Sequence, residues 1–317
     1  MPTIDYEKIK NDDDLMLPSV DYVFCRLFGS QNSKERLISL LNSILVGQPH
    51  IKDVTITPTE YRKDKKYGKS IRLDIKATTD NGTLVNVEMQ CVDVRDIILR
   101  AEFINAVMLR DYTIQQGDEY CEIPDRIIIW ITMQDVTERK SCINEAVLMY
   151  KDNGIDPISI AAEHLRIFII ELSKLEKMDM SKVDNMLEGW MNFIKHPKKL
   201  DNKYLNIPVM QDALSELEFL SHDQEARQAY NDRMIHMYDV QSSNTKHYEI
   251  GLNEGEEIGI KKGLEIGREE GIEIGREEGA KQKAVETAKN LIKLNILTIE
   301  QIAGAIWVEC CGCNEDR

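Results

Sequence analysis

The chain has 317 residues, 42% hydrophobic and 30% charged, with a formal net charge of −15. This length predicts about two domains with a real core, and the composition is that of a globular protein. The sequence excludes a helix that spans a membrane, because no apolar run approaches the ~20 residues that span a bilayer. The polar, acidic start is not a secretory signal, and seven irregularly spaced cysteines argue against a disulfide framework. We therefore expect a cytoplasmic protein with no membrane partner.

The chain is predicted to begin with two helices and a strand. Residues 21–29 form a short apolar-striped segment that ends in glycine, which is typical of a helix C-terminus. Ser33 is placed to cap a second helix that closes near Gly47. A strand is predicted over residues 54–61.

A β-hairpin is predicted next. Residues 71–77 and 84–90 alternate apolar and polar side chains, the pattern of half-buried strands. Residues 79–83, Thr-Asp-Asn-Gly-Thr, carry a strong turn signal between them.

The register of this hairpin decides which side chains meet. A two-residue Asn-Gly loop would place Asp74 opposite Met89 and would mix the two faces. A three-residue loop with Gly82 in the left-handed conformation places Asp74 directly opposite Glu88 and keeps one face apolar. We therefore expect the second register.

Two carboxylates placed directly opposite each other would repel, since their Cβ atoms lie roughly 5 Å apart. A hard divalent cation would offset this repulsion, because carboxylate oxygens are the ligands it prefers. The pattern of Asp74 and Glu88 therefore suggests a shared metal ion. The residues alone also allow two carboxylates on a solvated sheet face, where exposed charges are common.

The segment that leads into the Asp74 strand is basic, although the whole chain is acidic. Taken alone, such a run is typical of a solvated loop, but beside a metal-binding pair it favours phosphate contact. The candidate DNA-binding residues in it are Arg62, Lys63, Lys65, Lys66 and Lys69.

The remaining elements complete an α/β pattern. A helix is predicted over 96–114 and strands over 126–133 and 165–172, the first of these so apolar that both of its faces should be buried. The order of elements predicts an α/β sandwich with a small mixed sheet flanked by helices. Further helices are predicted over 183–194 and 211–237.

Glycine recurs at every fourth residue from Gly251 to Gly279. Each glycine lowers helix stability by about 1 kcal/mol relative to alanine. The segment is therefore either a flexible acidic linker, or its glycines form a bare stripe that another backbone can approach closely. Residues 284–308 then predict a helix-turn-helix segment, used either as an oligomerisation hairpin or as a small DNA-reading unit.

A set of motifs connects these features to a known family. It comprises Asp21-Tyr22-Val23-Phe24, Leu27-Phe28-Gly29, Leu40-Leu41-Asn42-Ser43-Ile44-Leu45, Leu73-Asp74-Ile75, Asn86-Val87-Glu88-Met89-Gln90, Arg100, Gly117-Asp118-Glu119-Tyr120, Glu171-Leu172-Ser173-Lys174 and the tetrad glycine tail. The chain resembles the recombination-promoting nuclease / putative transposase family of bacteria, a branch of the PD-(D/E)XK nuclease superfamily. The resemblance spans about residues 21–303.

The resemblance implies a restriction-endonuclease-like core, which the predicted strands place at 1–177. Beyond it the sequence pattern predicts a helical region at 178–248, the glycine tetrad repeat at 249–282 and a helical hairpin with a tail at 283–317. It also implies Mg²⁺-dependent cleavage of DNA, with Mn²⁺ able to substitute.

The resemblance assigns roles by position. Asp74 is the acidic residue of the second core strand, and Glu88 and Gln90 take the places of the acid and the lysine in the third. Asp21 is an auxiliary acidic residue, and Arg100 is the basic residue of the following helix.

The chain departs from the family pattern at three places. Gln90 replaces the superfamily lysine, Cys25 stands where the family usually has a lysine, and no proline precedes Asp74. Lys76 or Arg26 is expected to compensate, and Lys76 is also a candidate DNA contact.

The sequence hypothesis is a metal-dependent DNA endonuclease of low sequence specificity, acting as a homo-oligomer and linked to recombination or mobile elements. The alternative is a noncatalytic DNA-binding or assembly protein that keeps the nuclease fold, which the departures at Gln90 and Cys25 favour. Strand transfer by a transposase is a third possibility, because the same metal site serves either nucleophile.

Overall fold

The structure is a computed structural model that describes residues 6–57, 74–92, 96–110, 119, 122–150, 160–177 and 185–304. The chain divides into two compact units, Met1–Ser242 and Ser243–Arg317. The first unit contains the sheet and most of the helices. No helix of the described residues is long and apolar enough to cross a membrane.

Within the described residues, three α-helices precede the sheet. They are α1 (Tyr6–Lys10), α2 (Asp21–Phe28) and α3 (Lys34–Ile44). The predicted bounds of α2 are confirmed, and Gly29 follows it with φ −102°, outside the left-handed region. A side chain at Gly29 would place its Cβ 2.8 Å from the Cys25 carbonyl oxygen and 3.3 Å from Ile75 Cγ1. This glycine therefore allows the end of α2 to approach the sheet closely.

The predicted mixed sheet flanked by helices is confirmed. The six strands are ordered β1-β2-β3-β4-β6-β5, with β3, β4 and β6 parallel and the other pairs antiparallel. Their bounds are Val54–Thr57 (β1), Ile75–Thr79 (β2), Leu84–Gln90 (β3), Arg126–Thr132 (β4), Ile143–Met149 (β5) and Ile160–Glu171 (β6). The edge strand β5 was not predicted.

The hairpin register follows the prediction. Ile75 pairs with Val87 and Ala77 with Val85, and Gly82 has φ +86°. The three-residue loop is therefore confirmed, and Asp74 continues the same register one residue before β2 begins.

Both faces of β3 are buried, so the prediction of a half-buried strand is wrong. One face joins the main core through Val85, Val87 and Met89. Over the other face of the sheet packs α4 (Ile97–Arg110), whose Ala101 and Ile104 contact the cluster of Ile128 and Trp130 on β4. Glu88 and Asn86 lie on this face, with 5% and 0% of their surfaces exposed.

Helices follow the sheet. They are α5 (Asn185–Lys195), α6 (Asn202–Leu205), α7 (Pro208–His222) and α8 (Gln224–Leu294). The helix predicted over 211–237 is in fact two helices, because Asp223 adopts an extended conformation and its Oδ1 accepts a bond from Ala226 N at 2.8 Å. The glycine repeat lies within α8, so this segment is helical.

Candidate active site

The centre of the site is a reciprocal contact between the two strands of the hairpin. The Met89 N–H donates to Asp74 Oδ2 at 2.7 Å, and the Asp74 N–H donates to Glu88 Oε1 at 3.3 Å. Each carboxylate thus binds the backbone of the opposite strand. This arrangement fixes both side chains at one end of the hairpin.

Asn86 adds a second donor to Glu88. Its Nδ2 lies 2.8 Å from Glu88 Oε1, and the two residues share a face because they are two apart on one strand. Glu88 Oε1 therefore has two donors, whereas Glu88 Oε2 and Asp74 Oδ1 have none within the described residues. One oxygen of each carboxylate remains available to a ligand.

The electrostatics of the pair favour protonation. Burial, then the charges of Glu88 and Asp21, raise the pKa of Asp74 well above its usual value, despite the opposing effects of the Met89 N–H and Arg233. Burial raises the pKa of Glu88 to about 7, although bonds from Asn86 and the Asp74 N–H and the charge of Arg100 oppose it. The pair lacks enough positive charge to hold both groups ionised, which a bound cation would supply.

The helix α4 contributes Arg100. Its Nη2 lies 3.2 Å from Gln90 Oε1, and its guanidinium stands 4.8 Å from the centroid of the Trp130 ring. Gln90 also donates through Nε2 to the Val92 carbonyl oxygen. The amide of Gln90 is thus held between Arg100 and the backbone beyond β3.

The helix α2 contributes Asp21 and Cys25. The Cys25 thiol lies 3.2 Å from the Asp74 carbonyl oxygen, and Asp21 Oδ2 lies 2.9 Å from Nη2 of Arg233 on α8. Cys25, at the position of a family lysine, therefore contacts the backbone of Asp74.

This geometry agrees with the comparison to known families. The family model of the PD-(D/E)XK nuclease family transposases matches residues 18–247. The chain belongs to this family. No curated protein and no solved structure matches the chain. Membership indicates a nuclease or mobile-element function, and PD-(D/E)XK nucleases act on DNA and generally use divalent metal ions.

The residues fit a divalent ion of the magnesium type. Within the described parts of the chain, no three His, Cys, Asp or Glu side chains form a cluster that could hold a metal. Mg²⁺ does not need such a cluster, since it keeps several waters and binds through one or two carboxylates and substrate phosphate. The open oxygens of Asp74 and Glu88 provide this minimal set.

The structure brings together five residues predicted for the site, namely Asp21, Asp74, Glu88, Gln90 and Arg100. Lys76 is half-buried on β2 and pairs in register with Asn86. The predicted DNA-binding residues Arg62, Lys63, Lys65, Lys66 and Lys69 lie outside the described residues.

Sequence reasoning missed three residues of the site. Asn86 could have been found, because it is the polar residue two positions before Glu88 on the same strand face. Trp130 lies in an apolar run and pairs with Glu88 across the parallel strands, which no local pattern indicates. Arg233 arrives from a distant helix and carries no local signal.

Proposed function

We propose that the protein is a metal-dependent DNA endonuclease that hydrolyses phosphodiester bonds with low sequence specificity. The observation that carries the proposal is the Asp74–Glu88 pair, two adjacent carboxylates locked to opposite strands with one open oxygen each. The pKa values of both carboxyl groups are raised, because the site is short of positive charge. Such shifted pKa values are typical of functional carboxylates.

Each residue near the pair has a role in this mechanism. Asp74 and Glu88 would hold Mg²⁺, for which Mn²⁺ could substitute, and the Met89 carbonyl oxygen would be a further ligand. When bound, the ion would supply a water of lowered pKa and would neutralise charge on the phosphate. Gln90 orients the attacking water through an N–H not bonded to Val92, and Arg100 stabilises the ionised form of Glu88.

DNA contact in this proposal is mainly electrostatic. Lys76 on β2 and the basic segment that precedes it track the phosphate backbone, which gives salt-sensitive affinity with little dependence on sequence. The proposed setting is the cytoplasm, and the proposed role is cleavage linked to recombination or mobile elements.

A second candidate function is a noncatalytic DNA-binding or assembly protein. It is favoured by Gln90, whose amide is engaged by Arg100 and Val92, and by Cys25, whose thiol contacts the Asp74 backbone. Neither side chain provides the ammonium group that the superfamily has in this position.

A plasmid-nicking assay with Mg²⁺ separates the two candidates. Asp74→Ala and Glu88→Ala should each abolish nicking, while Glu145→Ala, which removes a carboxylate from the edge strand β5, should nick like the wild type. Wild-type-level nicking in both site variants would identify a contaminant and remove the assignment. A wild type that binds DNA but never nicks would favour the noncatalytic alternative.

The proposal also includes homo-oligomerisation through α8. Its glycines at 251–279 have no atom within 4 Å of a Cβ built at each, and flanking aliphatic side chains such as Ile258, Leu264 and Ile272 are exposed. Residues 254–273 carry seven acids and three bases, whereas 276–293 carry five bases and three acids. An antiparallel second copy would cover the aliphatic face and pair acidic with basic halves. Light scattering on the full chain tests this.

A further inference from the structure

We infer that Arg233 is a phosphate-binding residue of the candidate active site and that Asp21 positions it. The inference rests on the proposed nuclease function, which it deepens by naming a substrate contact on α8. The ion pair between Arg233 Nη2 and Asp21 Oδ2 has a length of 2.9 Å.

The position of Asp21 places this ion pair beside the metal-binding carboxylates. Asp21 is the first residue of α2, and Cys25 on the next turn of that helix contacts the Asp74 carbonyl oxygen at 3.2 Å. Arg233 binds the first residue of this helix. The ion pair therefore lies at the start of the helix whose next turn contacts the backbone of Asp74.

The hydrogen bonds of Asp21 favour a positioning role over metal ligation. Its Oδ1 accepts a bond from the Tyr22 N–H at 2.7 Å, and its Oδ2 binds Arg233. Both oxygens are engaged, unlike those of Asp74 and Glu88, each of which keeps one open oxygen. Asp21 is thus suited to hold a guanidinium in place.

Arg233 differs from Arg100 in its access to solvent and ligands. Arg100, on α4, is stacked on Trp130 and bonded to Gln90. The Arg233 side chain is 38% exposed and its Asp21 partner 30%. A guanidinium has five N–H donors, so Arg233 can keep its bond to Asp21 and still bind a phosphate oxygen, as arginine commonly does.

The backbone of Arg233 is fixed by the packing of α8. Tyr230, about one turn earlier, is 9% exposed within the main core, and Met234 and Met237 pack against the same core. The arginine therefore extends from a rigid helix, which keeps the entropy cost of binding a phosphate low.

The test uses the full chain with Arg233→Gln and a matched control. Arg166→Gln removes another ion-paired arginine, bonded to Glu145 at 2.6 Å, near the opposite end of the parallel strands. We would measure duplex-DNA affinity by fluorescence anisotropy over a salt series in Ca²⁺, and cleavage in Mg²⁺. Thermal melts check that each variant folds.

We expect Arg233→Gln to reduce the slope of log affinity against log salt by about 1, the value of one lost phosphate contact, and to raise KM more than it lowers kcat. Arg233→Lys should restore most of the slope, and Asp21→Asn should shift KM in the same direction by less. Arg166→Gln should match the wild type.

An unchanged slope and KM in folded Arg233→Gln, with a wild type that binds and cleaves, would overturn the inference and leave the nuclease proposal intact. Failure of the nuclease proposal is seen in the wild type itself, as absent cleavage. If the wild type binds DNA without cleaving it, the salt slope of Arg233→Gln still tests the inference. If the wild type does not bind DNA, the inference is overturned too.

Discussion

Two buried glutamates of the same sheet show opposite behaviour. Glu88 lies on β3 with 5% of its surface exposed and Glu171 ends β6 with 0%. The pKa of Glu88 is raised to about 7, whereas that of Glu171 is lowered. Burial pushes both values upward, so the difference comes from their partners.

Glu171 is fully supplied with donors by its own chain. Its carboxylate accepts bonds from Val136 N at 2.6 Å, Thr137 N at 2.8 Å and Asn144 Nδ2 at 3.0 Å, and Lys174 Nζ lies 2.8 Å away. Burial alone would raise its pKa, but these contacts outweigh it. Glu171 therefore acts as a structural link between β6 and the segment after β4.

Glu88 has only amide donors on one oxygen and shares its site with a second carboxylate. The comparison teaches that the fold satisfies a structural carboxylate internally and leaves the candidate catalytic pair short of positive charge. A cation from solution can supply that charge.

The most decisive test of this comparison replaces the carboxylate of each glutamate by the corresponding amide. Glu88→Gln should lower the nicking rate about 10³-fold, since a bound metal contributes several kcal/mol and each 1.4 kcal/mol is tenfold, while the protein stays folded. Initial rates and thermal melts on matched preparations measure this. A rate within tenfold of the wild type would contradict the assigned role of Glu88.

The converse substitution, Glu171→Gln, should act on stability. It leaves Lys174 buried without its counterion, so the free energy of unfolding should fall by about 3–5 kcal/mol, measured by urea denaturation. Glu7→Gln is the control, because that exposed glutamate pairs with Lys10 at the surface and should matter little. Equal losses in the two variants would show that Glu171 is not a structural link.

The two glutamates also predict opposite pH dependences of metal-free stability. The raised pKa of Glu88 means that the folded state binds protons more tightly, so stability falls by about 2–3 kcal/mol as pH rises from about 4.5 through 7. The lowered pKa of Glu171 gives stability that is present above its unfolded pKa and is lost as pH falls through the folded value.

Melting temperatures from pH 3 to 8 measure these slopes. Mg²⁺ should raise the melting temperature at pH 8 and much less at pH 5, where Glu88, with its pKa raised to about 7, is protonated. In Glu88→Gln the loss of stability above pH 5 should shrink. A Mg²⁺ effect that is equal at the two pH values would argue against a metal site at this pair.

The smallest effect concerns the glycine row of α8. Alanine at Gly259, Gly263 and Gly267 should raise the helix stability by about 1 kcal/mol each, since nothing lies within 4 Å of the added Cβ. The same changes should weaken an oligomer in which a second backbone approaches the row. Circular dichroism and light scattering report the two effects.

The control for the glycine series is Gly82→Ala, which should lower stability, because Gly82 has φ +86° and side chains disfavour that conformation. Unchanged association in the α8 alanine variants would show that the oligomer does not use the glycine row.

The sequence by itself determined the local parts of this protein. The alternation of 71–77 and 84–90, together with Gly82, defined the hairpin register and brought Asp74 to Glu88. Helix α2 and strand β4 were also predicted, because turn chemistry and side-chain periodicity act within a few residues.

Only the tertiary structure decided what covers and completes the site. The burial of Glu88 and Asn86 depends on α4 packing over their face, and the pairing of Asp21 with Arg233 depends on where α8 begins after Asp223. The edge strand β5 likewise takes its place by pairing with β6. Such contacts join residues far apart in the chain, so no local pattern of side chains encodes them.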